Sequence, residues 1–141
     1  MVRSNPQKSQ AFCSVCGAET SQECPECSTP IRGYLHRRSV IVGGEYERPK
    51  YCHNCGKPYP WTILAIESAI ELFVDDVGMQ AVKDANLEET VTALTTDTPK
   101  TPLAIARFKR FITQATAATI ESVQGILVEL ISEAVKKKIW P

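Results

Sequence analysis

The sequence predicts a small zinc ribbon, a rubredoxin-like β-hairpin carried on cysteine knuckles, followed by an all-α region with one long C-terminal helix. Three observations carry that reading. All six cysteines fall in three Cys-x-x-Cys pairs, Cys13/Cys16, Cys24/Cys27 and Cys52/Cys55, within the first 55 of 141 residues. Between the second and third pairs, Ser39-Val40-Ile41-Val42, Gly43-Gly44 and Glu45 to Arg48 read as strand, turn and strand. Beyond Pro60 the apolar residues recur at helical spacing, and after Pro102 no proline interrupts the chain until Pro141.

Two thiolates two residues apart can occupy two corners of a tetrahedron around one ion, and a second such pair closes it, so paired knuckles fit structural zinc. Gly17 and Gly56 follow directly on Cys16 and Cys55. Glycine there permits a left-handed turn that aims backbone N–H groups at the sulfurs, a conformation that costs a residue with a Cβ. Six cysteines do not divide into two four-cysteine sites, so one complete site is the minimum. The favoured set is Cys24, Cys27, Cys52 and Cys55, whose 24 intervening residues hold the hairpin. The rival closes Cys13/Cys16 with Cys24/Cys27 across seven residues as a very short ribbon. All six cysteines are candidate metal ligands. His36 and His53 are the only histidines. Either can complete a second site, but His53 sits between two candidate ligands, where a side chain usually points away, and His36 adjoins Arg37-Arg38 in a polar strand.

A redox role for the knuckles would call for a neighbouring βαβ pattern, and none is visible. The opening Met-Val-Arg-Ser-Asn-Pro-Gln-Lys-Ser-Gln has no apolar stretch of the kind that marks export, so a reducing cytoplasm and free thiols are expected.

Glycine, proline and cysteine crowd into residues 12–60, whereas 61–141 is rich in Ala, Leu, Ile, Val and Glu. These are the two expected domains, a zinc ribbon and a helical docking or oligomerisation region. About fifty residues bury little apolar surface, and a structural zinc site contributes on the order of 10 kcal/mol of apparent folding free energy, so metal is expected to be a condition of the ribbon's folding.

The formal charge is zero but unevenly spread. Residues 1–61 carry eight Lys/Arg against five Asp/Glu, 62–97 one against eight, and 98–141 seven against three. Arg32, Arg37, Arg38, Arg48, Lys50 and Lys57, with Tyr34, Tyr46 and Tyr51, suggest nucleic acid as an alternative partner of the ribbon. Four thiolates around Zn²⁺ contribute two negative charges, which lowers the ribbon's formal excess and weakens that alternative.

Ile63, Ile66, Ile70, Phe73, Val74 and Val77 define an amphipathic helix from Thr62 that Gly78 ends. A short helical stretch follows over 79–84, and Asn86-Leu87-Glu88-Glu89 has the form of a capping box opening a helix to about Leu94. Thr101-Pro102 starts the last helical region, since proline's φ suits the first turn. Taken as one helix, residues 102–138 would span roughly 55 Å, against a radius of gyration of about 12 Å for a compact eighty-residue domain. Either this helix breaks, near Thr113 to Thr119 or at Gly125, or a partner or second copy covers its apolar face. The second is favoured, because one glycine costs a helix only about 1 kcal/mol. Between Arg110 and Glu129 the only charge is Glu121, yet Gln114, Glu121, Gln124 and several hydroxyls argue against a membrane span.

Phe12-Cys13-Ser14-Val15-Cys16-Gly17, Cys24-Pro25-Glu26-Cys27 with Thr29 to Tyr34, Tyr51 to Thr62, and Asp97-Thr98-Pro99-Lys100-Thr101 together resemble an uncharacterised bacterial family of small zinc-ribbon proteins. The resemblance runs over most of the chain from Phe12. It implies a further Cys-x-x-Gly-His element near the start that pairs with the first knuckle and makes a second zinc site. This sequence carries no such element, which favours one ion at Cys24, Cys27, Cys52 and Cys55. The family implies no activity.

No His-Glu-x-x-His, Gly-x-Ser-x-Gly, phosphate loop or deaminase pattern is present. The expectation is a non-enzymatic cytoplasmic zinc-binding adaptor or regulatory protein acting through protein–protein contacts, with a nucleic-acid-binding regulator using the basic hairpin as the alternative.

Overall fold

The computed structural model describes residues 11–32 and 48–140. The chain divides into two units, Met1–Tyr59 and Pro60–Pro141.

In the first unit the described residues form three copies of one turn. In each, the first cysteine N–H donates to the carbonyl five residues on, and the residue four on donates back to that cysteine's carbonyl. The residue seven on donates to the carbonyl two before. The bonds are Cys13 to Ala18, Gly17 to Cys13 and Thr20 to Ala11; Cys24 to Thr29, Ser28 to Cys24 and Ile31 to Gln22; Cys52 to Lys57, Gly56 to Cys52 and Tyr59 to Lys50, all at 2.7–3.0 Å. Each turn is pinned by an isolated antiparallel bridge, Phe12 to Glu19, Glu23 to Pro30 and Tyr51 to Pro58. The fourth position needs a positive φ, supplied by Gly17 (72°), Ser28 (57°) and Gly56 (70°). Glycine takes that conformation without a Cβ clash, so Ser28 holds it at a cost. The hairpin expected over Ser39 to Arg48 lies, except for Arg48, outside the described residues.

The second unit contains α1 (Pro60–Val77), α2 (Met79–Asp84), α3 (Leu87–Leu94), α4 (Thr101–Ile112), α5 (Ala117–Leu127) and α6 (Glu133–Ile139). Helix α1 buries Thr62, Ile66, Ala69 and Phe73, one face at three- and four-residue spacing. Gly78, at φ 91°, ends α1 and turns the chain into α2. The capping box at Asn86 takes a different form. Asn86 adopts the left-handed conformation without capping α3 through its side chain, and its amide instead donates to the Glu89 carboxylate.

The long C-terminal helix does not exist. Its span is divided into α4, α5 and α6. Two breaks are capped by hydroxyl residues in extended conformation: Thr116 Oγ1 accepts from Thr119 N–H at 3.4 Å, and Ser132 Oγ from Val135 N–H at 3.4 Å. Such side chains satisfy donors that a helix start leaves unpaired, which lets the chain turn without losing them. Gly125 lies inside α5. The apolar residues thought to await a partner pack within the unit. Phe108, Phe111, Val123, Leu127, Leu130, Ile131 and Val135 join Phe73, Leu87, Val91 and Leu94 in one core. The Phe73 ring meets Phe111 and Phe108 edge-on at 5.1 and 6.1 Å, and Phe108 meets Trp140 at 6.2 Å. Helix α1 packs on α5 and α3 on α4, with α6 against α4. Among the described residues no helix is long and apolar enough to cross a membrane.

Candidate metal centre

The second and third knuckles converge. The sulfurs of Cys24, Cys27, Cys52 and Cys55 all lie within 4.8 Å of one another. Cys24 Sγ is 3.7 Å from Cys55 Sγ, and Cys27 Sγ 3.6 Å from Cys52 Sγ. Four thiolates bound to zinc at about 2.3 Å stand about 3.8 Å apart along the edges of the tetrahedron. Those two edges match a metal-sized opening, whereas a disulfide needs about 2.05 Å, and all four cysteines are free thiols. Cys24 and Cys52, which open their knuckles, are buried; Cys27 is half-buried and Cys55 exposed. Cys13 and Cys16 are not part of this group. His53 is exposed and also stands outside it, and His36 lies outside the described residues.

The chain supplies donors to the sulfurs. The Asn54 backbone N–H reaches Cys52 Sγ at 3.4 Å, and the Asn54 side-chain amide reaches across to Cys27 Sγ at 3.6 Å. The Cys27 thiol itself donates to Thr29 Oγ1 at 3.2 Å. The Thr29 hydroxyl, the Thr29 N–H and the Asn54 amide bring the Cys27 thiol down to about 6. The backbone N–H groups of Cys55 and Asn54 lower Cys52 in the same way. At Cys55 the Lys57 N–H favours the thiolate, but desolvation and the sulfurs of Cys27, Cys24 and Cys52 together prevail and push it up to about 12. Hydrogen bonds to sulfur thus prepare the cluster for negative charge, while mutual repulsion holds back its last proton. A divalent cation removes the conflict, so metal binding is coupled to proton release.

Tyr59 is fully buried beside the cluster. Burial, then the negative charge at Cys52, push the Tyr59 phenol up to about 12. The phenol therefore stays protonated. Tyr59, Thr29 and Asn54 were not among the residues expected at the site. For Tyr59 a faint signal existed: it lies seven residues after Cys52, where the knuckle's outer hydrogen bond closes, a position held by Thr20 and Ile31 in the other two.

Four cysteine sulfurs gathered within 4.8 Å of one another from two knuckles make a group that could hold a metal ion. The chain belongs to the bacterial family described as "Uncharacterized protein conserved in bacteria (DUF2321)", whose pattern matches residues 1–139. No curated protein and no solved structure matches it.

Proposed function

We propose that this is a non-enzymatic zinc-binding protein that works by holding another protein. The observation that carries the reading is the donor set itself. Four cysteines fill all four corners of the coordination shell, so a bound ion has no open position at which to activate water or polarise a substrate. Zinc is the ion that best fits four thiolates at these separations, and its work here is structural.

The partner surface in this reading is a cleft of about 470 Å³ on the helical unit. Its apolar part includes Ile70, Val74 and Met79, and its acidic part Glu71, Asp75 and Glu88. Met79 is 52% exposed. An apolar floor with carboxylates beside it suits an amphipathic segment with a basic edge, and residues 62–97 carry one basic residue against eight acidic ones.

The test is affinity capture with chemical crosslinking from the native host, comparing the wild type with Met79→Glu and with Arg37→Ala/Arg38→Ala. In the adaptor reading Met79→Glu loses the captured protein while zinc content and far-UV circular dichroism stay unchanged, and the arginine variant retains it. Recovery of nucleic acid that depends on the two arginines, and not on Met79, overturns it in favour of a nucleic-acid-binding regulator.

A further inference from the structure

The cleft lined by α1, α2 and α3 carries charge that the described residues leave unanswered. Around its apolar floor of Ile70, Val74 and Met79 stand Glu71, Asp75 and Glu88 against a single cation, Lys83. Glu67 lies one turn before Glu71, and Glu71 one turn before Asp75, all three exposed. Like charges four residues apart on a helix repel, so this row weakens α1 until a cation meets it. Among the described residues no ion pair or hydrogen bond engages the side chains of Glu67, Glu71 or Asp75.

The same chain displays a matching segment. Along α4, Leu103, Arg107 and Arg110 follow at four- and three-residue spacing and so share a face, about 10 Å from end to end. All three are exposed, Leu103 at 52%, while Ala104, Ile105, Phe108 and Phe111 enter the core. An exposed leucine beside two guanidinium groups is an amphipathic strip with an apolar anchor and a basic edge, the chemistry that the cleft calls for. Neither arginine has an ion-pair partner among the described residues. The lysines of α6 offer charge without such an anchor, because Val135 and Ile139 beside them are buried.

We infer, on the reading of the cleft as a protein-binding surface, that its occupant is a second copy of this chain, whose α4 lays Leu103 on the floor of Ile70, Val74 and Met79 and sets Arg107 and Arg110 against Glu71 and Asp75. Guanidinium and carboxylate can pair through two parallel hydrogen bonds, which fixes orientation as well as charge. Each copy carries both halves of the contact, so association needs no other component.

Sedimentation velocity on the full-length protein, purified under reducing conditions and run over a concentration series, tests this. The wild type is expected to self-associate, and less so as salt is raised. Arg107→Glu/Arg110→Glu and Glu71→Arg/Asp75→Arg are each expected to weaken association at least tenfold, with far-UV circular dichroism unchanged because all four positions are exposed. Mixing the two variants restores association, since the reversed cleft then meets a reversed strip and the native cleft a native one. A wild type that stays monomeric throughout the series overturns the inference, as does association that survives both reversals or a mixture that remains dissociated. Association abolished by Arg37→Ala/Arg38→Ala but not by Arg107→Glu/Arg110→Glu overturns it as well. A monomeric wild type that still captures a different protein through Met79 removes the second copy and keeps the cleft, whereas a monomeric wild type with no Met79-dependent capture removes the cleft reading too.

Discussion

The two units of this chain use opposite means of holding a fold. In the helical unit seventeen residues form one apolar core among the described residues, and the aromatic rings of Phe73, Phe108 and Phe111 lie at its centre. In the knuckle unit the described buried apolar residues are Cys24, Cys52 and Tyr59, and two of those are metal-ligand candidates. Among its described residues the knuckle unit therefore shows local hydrogen-bonded turns with little packing to fix them relative to one another, whereas the helical unit is held by its core. The difference teaches that a four-cysteine group can stand where the described residues offer little core, and that each unit should answer to its own perturbation.

Metal removal gives the largest effect. A structural site of four thiolates contributes about 10 kcal/mol or more of apparent folding free energy, so a strong chelator, or Cys52→Ser, is expected to abolish the order of the knuckle unit. Amide resonances of residues 11–32 and 48–59 should collapse toward unfolded positions while those of α1 to α6 keep their dispersion. Loss of both sets together would show that the helical unit depends on the metal and that the two units are not held by separate means.

Phe73→Ala runs the comparison the other way. The ring is fully buried against Phe108 and Phe111, and its truncation is expected to cost about 3–5 kcal/mol. Chemical denaturation followed by Trp140 fluorescence should show the loss, with zinc stoichiometry unchanged at a denaturant concentration where the helices are still folded.

These contrasts were unevenly legible in the sequence. The three cysteine pairs could be named because ligand spacing is a local property of a knuckle. Helix α1 and its end at Gly78 were visible because apolar period and a glycine stop are also local. The break between α4 and α5 falls in the Thr113 to Thr119 stretch offered as an alternative to a continuous helix, but the break between α5 and α6 was hidden, since the apolar spacing continues through Ile112, Ala115, Val123 and Leu127 whether or not the axis turns. Only Thr116 and Ser132 marked them, and hydroxyl residues are common inside helices as well as at their caps. Asn54 was hidden for another reason: its side chain reaches across to Cys27, so its role depends on which knuckle faces which, a tertiary fact that Cys-x-x-Cys spacing does not contain.

A smaller effect separates the knuckles from one another. Ser28 holds a left-handed conformation at φ 57° where the other two turns have glycine. Ser28→Gly is expected to stabilise the zinc-bound knuckle unit by about 1 kcal/mol, read as slower zinc transfer to a competing chelator. Gly56→Ala should cost about 1–2 kcal/mol and speed it. No atom lies within 4 Å of a Cβ placed at Gly56, so the penalty there belongs to the backbone and not to a clash.

The smallest expected effect lies in the helical unit and depends on pH. Asp76, near the end of α1, accepts the Thr116 backbone N–H at 2.7 Å at the start of α5. That bond, with help from the Thr119 and Thr116 hydroxyls, holds the Asp76 carboxyl below its ordinary value. A carboxylate at a helix N-terminus meets unpaired N–H groups and the positive end of the dipole, which favours its charged form. Because the folded pKa lies below the unfolded one, the charged contact stabilises fully above about pH 4 and is lost as pH falls through the folded value. Asp76→Asn keeps an acceptor oxygen but not the charge. Its melting temperature should therefore fall below that of the wild type at pH 7, with the gap narrowing below pH 4 and closing once wild-type Asp76 is protonated. A gap that stays constant to pH 2 would mean that shape alone joins α1 to α5, and that charge adds nothing to a unit otherwise held by packing.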